Sequence, residues 1–295
     1  PAAHLKLKPM PWHARLQLDY HRDPTISADA GAAAPRTLAR YLHNGPLRIL
    51  QSLYPEGDAV CHNVLVHPPG GLVGGDTLEI QVSAATGTHG LVTTPGATRF
   101  YRSDGALALQ DTQIHLAAGA RLEWLPLETL CYSGCQAENR LQATLDAGAE
   151  MLGWDITALG LPHAHLPFVQ GTLRQHIEVP GVWLEQGQID AHDTRLMDGP
   201  LGLAGHRCMA SLFFLAGTPL ERTRREAALD VARSVIDSHD LRATAGATSP
   251  DGRVVVVRVL APVVEPAMQL MRQIRAAWRQ HFWQQPAVNP RIWST

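Results

Sequence analysis

The chain has 295 residues, 45% of them hydrophobic and 18% charged, and a formal net charge of −2 with histidines neutral. That is material for a full hydrophobic core, too apolar for a disordered chain and without the basic field that nucleic acid or anionic lipid would attract. No apolar run reaches the roughly 18 to 20 residues of a membrane span, and Pro1 to Pro11 lacks the apolar centre of a secretory signal. A cytoplasmic protein is expected, with its four cysteines (Cys61, Cys131, Cys135, Cys208) as reduced thiols.

In chain order, Trp12, Ala14, Leu16, Leu18 and Tyr20 alternate with polar residues, the pattern of a half-buried strand. Asp23 to Arg36 reads as a loop, and Leu38 to Leu53 as two strand segments about the Asn44-Gly45-Pro46 turn. His67-Pro68-Pro69-Gly70-Gly71-Leu72-Val73-Gly74-Gly75-Asp76 follows. Its prolines remove backbone donors and its glycines admit left-handed dihedrals, so it is a sharply cornered loop ending in a carboxylate. It is no nucleotide loop, because no lysine follows the glycines and no helical pattern succeeds it.

Beyond it, Gly87, Gly119, Gly148 and Gly181 recur 32, 29 and 33 residues apart, each between strand-like runs. Such strand–turn–strand units bury a common core by stacking. The expectation is a mainly β protein, layered or solenoid-like over residues ~10–215. Two amphipathic helices flank a valine-rich strand in the remainder. Thr218-Pro219-Leu220-Glu221 offers an N-cap, a first-position proline and a capping-box acid for the first helix. Glu265-Pro266 opens the second, with Met268, Met271, Ile274, Trp278 and Phe282 on one stripe. The whole of 1–295 is read as one domain, a 12–215 body closed by 216–295.

Chemistry is sparse. There is no Gly-x-Ser-x-Gly elbow, and adjacent strand residues such as Cys61 and His62 point to opposite faces. The fifteen histidines are scattered, so no stable, closed metal site is expected. Acids in distinctive segments are Asp76, Glu123, Glu128, Asp155 and Glu185. Asp155 beside Trp154 and Glu185 beside Trp183-Leu184 stand in apolar strands, where a carboxylate needs a partner, water or a cation. Thr98, after the Pro95-Gly96 corner, is a neutral companion for Asp76, Asp155 and Glu185 in a wet interior.

Four separated segments resemble the urease accessory protein UreD (UreH) family, in order over residues 12 to 293. They are His67 to Asp76, Thr93-Thr94-Pro95-Gly96-Ala97-Thr98-Arg99-Phe100-Tyr101-Arg102-Ser103, Leu122-Glu123-Trp124-Leu125-Pro126-Leu127-Glu128-Thr129, and Pro290-Arg291-Ile292-Trp293. The resemblance implies a mostly β protein with two helices that is not itself an enzyme. It implies binding to the UreF accessory protein, to the GTPase UreG through UreF, and to apo-urease, with a homodimer of the accessory complex as a further option. Nickel would be a transient passenger on a polar interior route, with no tightly bound cofactor, and Asp76, Thr98, Asp155 and Glu185 are the candidate lining. Arg291, Ile292 and Trp293 are the candidate partner contacts. One departure stands out: where the family commonly carries Arg and Glu, this chain has Leu161 and Leu166, the look of an internal ion pair replaced by an apolar one. His163 and His165 lie in the same segment without a defined role. The rival reading is a β-rich hydrolase using Asp76 and a second carboxylate.

Overall fold

The protein is described from a computed structural model covering residues 11–24 and 35–294. All but the last residue of the Pro1 to Pro11 stretch read for a signal sequence, and most of the loop expected over Asp23 to Arg36, lie outside the described residues. The first strands are β1 (His13–Arg22), β2 (Thr37–Asn44), β3 (Arg48–Leu53), β4 (Val60–Val66), β5 (Thr77–Ala84) and β6 (His89–Thr93). Next come β7 (Thr98–Phe100), β8 (Ala108–Leu116), β9 (Arg121–Leu125), β10 (Thr129–Cys131), β11 (Cys135–Leu145) and β12 (Glu150–Leu161). The body closes with β13 (Leu166–Pro167), β14 (Gly171–Val179), β15 (Trp183–Asp190), the short α1 (Thr194–Asp198) and β16 (Cys208–Ala216). Last are α2 (Arg222–Asp237), β17 (Ala245–Asp251), β18 (Val254–Ala261) and α3 (Val264–Trp283).

From β4 to β14 the chain shuttles between two sheets, and the strands it leaves in each sheet pair in parallel. The first sheet runs β15-β14-β11-β8-β5-β1-β2. The second runs β17-β18-β16-β12-β9-β6-β4-β3, with β10 paired to β12 and β7, and β13 to β12. This is the stacked coil that the glycine period predicts. Gly87, Gly119 and Gly148 hold one corner of successive turns at φ of +68°, +67° and +75°, a region where a side chain is strained. Gly181 departs from the series, because it turns the antiparallel β14–β15 hairpin that ends the coil.

Period-two alternation produces three layers. Leu16, Leu18, Ile80, Ile114, Leu173 and Phe213 fill the space between the sheets. The opposite face of the second sheet packs Leu152, Trp154, Phe214, Val255 and Val257 against α2 and α3. On α3, Met268, Met271, Ile274, Trp278 and Phe282 are all buried, each contributing about 1.5–3 kcal/mol of apolar burial. Phe282 stacks on Phe214 with ring centroids 3.6 Å apart.

The closing segment differs from expectation in two places. Leu220 is drawn into the core and donates its N–H to the Gly252 carbonyl. Thr218 therefore cannot cap, and α2 starts at Arg222 behind Glu221 with no side-chain cap. The valine strand is the inner half of a hairpin, for β17, too polar to register as a strand in sequence, pairs with it.

Candidate functional site: a polar seam between the sheets

In the first sheet Gln110 on β8, Asn139 on β11 and Gln175 on β14 stand in register on three adjacent strands. They share the inward-facing parity of Ala108, Ala137 and Leu173, so three amides form a row facing the second sheet. Opposite them is Asp155. Asn139 Nδ2 donates to its Oδ2 at 2.7 Å, Gln175 Nε2 to its Oδ1 at 2.6 Å and Thr157 Oγ1 to the same Oδ1 at 3.0 Å. Gln110 Nε2 extends the row by donating to Asn139 Oδ1 at 3.3 Å. Asp155 is half-buried between the sheets. Burial, reinforced by the negative charge of Glu185, pushes its pKa up to about 6 against these hydrogen bonds.

The sequence candidates thus separate. Asp155 and Glu185 sense each other across the seam, but Glu185 is also pinned, accepting from Ser211 Oγ at 3.0 Å and Arg258 Nε at 2.8 Å. Asp76 is buried and spends one oxygen on the Trp12 N–H at 2.8 Å and the other on the Val73 N–H at 2.9 Å. It acts as a loop cap, each of its oxygens accepting one backbone N–H. Thr98 lines a cavity of about 230 Å³ between the two glycine-bearing loops, together with His67, Thr94, Arg99 and Gln110. Burial holds the His67 imidazole below its ordinary pKa, although the Asp76 charge works the other way. Among the described residues, no group of three or more His, Cys, Asp or Glu side chains is placed to hold a metal ion.

A second polar cluster lies under α3. Fully buried Glu123 accepts from Arg275 Nε and Arg279 Nη1, both at 2.7 Å. Arg279 Nη1 also reaches Glu56 Oε1 at 3.1 Å, and His62 Nε2 lies 2.7 Å from that oxygen. Burial opposes the charge on Glu123, but Arg275, His89 and Arg279 outweigh it and hold the carboxyl well below the usual range. The arrangement is an anchor: it ties α3 to β9 and to the turn before β4.

The C-terminal motif docks on the same face. Trp293 donates from Nε1 to Thr93 Oγ1 at 2.8 Å, packs on Trp154 with ring centroids 5.3 Å apart and lies under Arg272 at 4.7 Å. Arg291 and Ile292 line a groove of about 600 Å³ with Leu53, Tyr54, His62 and Val64. Ile292 is half-buried and Arg291 exposed.

Leu161 and Leu166 face each other directly across the β12–β13 pairing, which explains why two charges can be lost together. The pair is not internal: Leu161 is half-buried and Leu166 is 54% exposed. His163 and His165 sit on the exposed turn between these strands. All four cysteines are free and buried, and the Cys135 thiol donates to the Thr172 carbonyl at 3.8 Å. Sequence reading missed the amide row, although Gln110 and Asn139 are separated by 29 residues, the same step as Gly119 to Gly148. It also missed Glu56, Arg275 and Arg279, whose pairing spans more than half the chain and leaves no local pattern.

No described helix is long and apolar enough to cross a membrane. The family model described as UreD urease accessory protein matches residues 13–294. A urease accessory protein UreD of Variovorax paradoxus (strain S110) is 66% identical over 286 residues, covering 97% of this chain and 100% of the relative. Its counterpart from Paracidovorax citrulli (strain AAC00-1) is 69% identical over 285 residues with the same coverage. A backbone coil, a Gly-cornered loop capped by Asp76 and a full-length match all agree, and the chain belongs to the UreD family of urease accessory proteins.

Proposed function

We propose that this chain is a scaffold and conduit in the assembly of the urease metallocentre: it binds apo-urease and a UreF-type protein, reaches a UreG-type GTPase through UreF, and passes nickel inward without catalysing a reaction. The observation that carries the reading is Asp155, a single half-buried carboxylate set among the amides of Asn139 and Gln175 and the Thr157 hydroxyl between the two sheets. Neutral oxygen ligands bind a hard or borderline divalent ion weakly, and a passage must release what it accepts. Glu185, paired with Arg258 and held by Ser211, adds only its field at Asp155 and forms no closed cage with it. Membership of a family of urease accessory proteins supports urease as a partner, and the remaining partners and a cytoplasmic setting are part of the proposal.

The test is co-purification of the chain with a UreF-type protein and apo-urease, followed by nickel counting on the urease. Wild-type chain is expected to raise nickel occupancy, and Asp155→Asn to lower it while leaving the complex assembled. Urease that loads equally well with the wild type and with Asp155→Asn would overturn the conduit reading. Turnover of a hydrolysable substrate by the isolated chain would overturn the non-catalytic one.

A further inference from the structure

The cavity of about 230 Å³ beside the glycine loops changes character from mouth to floor. Pro95 and Gly96 are exposed, Ala97, Thr98 and Arg99 are half-buried, and Leu65, Leu78, Ile80 and Trp124 are buried. A polar rim therefore stands over an apolar floor. At about 30 Å³ per water molecule the space equals roughly seven or eight waters, the room of a small organic molecule. No Asp or Glu belongs to the lining, and its one permanent charge is the Arg99 guanidinium. That sign favours an anion.

Arg99 is also held in place. Its carbonyl accepts the Leu72 N–H at 2.7 Å, and the Tyr101 N–H donates to the Leu72 carbonyl at 2.9 Å, so the glycine loop is stitched to β7 on both sides of the residue. Gly71 permits that approach, because a Cβ there would lie 2.7 Å from the Arg99 carbonyl oxygen. In the side chain, Nη1 donates to the Gly70 carbonyl at 3.3 Å. The other edge of the guanidinium, Nε with Nη2, makes no hydrogen bond or ion pair among the described residues. That edge carries two parallel N–H donors, the fork that matches a carboxylate. Thr98 adds a hydroxyl to the same lining. Asp76, whose charge is felt at His67, is not part of the lining and already accepts two backbone N–H groups.

We propose that this cavity is a binding site for a small aliphatic monocarboxylate, its head on the free edge of Arg99 and its hydrocarbon part on the floor of Leu78, Ile80 and Trp124. The apolar floor selects against inorganic phosphate, whose remaining oxygens would be desolvated there without donors. Binding bridges the His67–Asp76 loop and β7, so it stabilises the fold by mass action. The proposal is independent of the conduit reading, and its test uses no nickel.

The test is calorimetric and thermal-shift titration of the full chain with butyrate, with butyramide as the uncharged isostere and with inorganic phosphate. Butyrate is expected to bind saturably, with a Kd on the order of 1 mM for so few atoms, and to raise the melting temperature. Butyramide is expected to bind at least about tenfold more weakly, since it loses the charge-assisted pair, and phosphate to leave butyrate binding unchanged. Arg99→Gln, which keeps a donor for the Gly70 carbonyl, should weaken butyrate about tenfold. Ala97→Leu adds bulk to the cavity wall and leaves the guanidinium in place, so it should block butyrate even if the Arg99 variant does not fold. Absence of saturable butyrate binding, butyrate and butyramide binding alike, displacement of butyrate by phosphate, or undiminished binding in either folded variant would overturn the proposal.

Discussion

Asp155 offers a measurement that is independent of partners. In an unfolded chain its carboxyl titrates near the ordinary value of 3.8, whereas in the fold burial and Glu185 raise it to about 6. A raised carboxylate pKa means that the fold disfavours the ionised form. The penalty is absent below the unfolded value, grows as pH rises from about 4 to 6, and is constant above that. Its full size is about 3 kcal/mol, from the difference between the two values at 1.36 kcal/mol per unit. Between pH 5 and pH 7.5 the part still developing is about 1.4 kcal/mol. Asp155→Asn keeps the shape and removes the titration. Urea unfolding of both proteins across this range, compared at a common m-value, should show the wild type losing about 1.4 kcal/mol relative to the variant as pH rises. The absolute offset between the two is less informative, because the new amide must reorganise donors now aimed at two carboxylate oxygens. The pH-dependent part is free of that term. A difference that stays flat from pH 5 to pH 7.5 would refute the reasoning, since Asp155 would then carry the same charge in both states.

Further outcomes follow from the anchor, the coil and the tail. Arg279→Met should destabilise the fold by about 3–5 kcal/mol in denaturant unfolding, because Glu56 and Glu123 lose a shared buried cation; a loss under 1 kcal/mol would mean that water reaches the pair. Gly90→Ala should cost about 1–3 kcal/mol, since a Cβ there would overlap the Tyr20 ring between the sheets, and an unchanged melting temperature would show that the ring has room to move. Removing residues 290–295 should leave the far-ultraviolet circular dichroism intact while weakening co-purification with a UreF-type partner; unfolding of the truncated chain, with normal binding by any folded remainder, would make Trp293 a core residue and nothing more.

Sequence revealed the fold well where a local rule operated. Alternation marked β1, and the glycine period marked the coil because each turn reuses one corner at positive φ. The stripe from Met268 to Phe282 marked α3 through its 3.6-residue spacing. It failed where a tertiary contact took precedence, as when Leu220 entered the core and displaced the cap expected at Thr218. The site was half legible. An acid beside Trp154 was conspicuous, but what makes Asp155 unusual is Gln175 and Asn139, brought opposite it by the stacking of coils. Asp76 looked equally conspicuous in sequence and proved to be a cap, since only coordinates show that both its oxygens accept backbone N–H groups.

The anchor under α3 also bears on how the protein is made. Glu56 meets Arg279 across 223 residues of chain, and Glu123 meets Arg275 across 152. At about 5 to 20 residues per second of synthesis, Glu56 waits on the order of 10 to 45 s for its partner to be translated. Once Trp154 has been made, and until α3 follows, the second sheet presents Leu91, Leu152 and Trp154 to solvent around two acids that have no cation. The emerging chain is therefore an adhesive intermediate whose last helix is also its cover, and recoding that slows translation of residues 264–283 should raise aggregation without altering a single residue of the product.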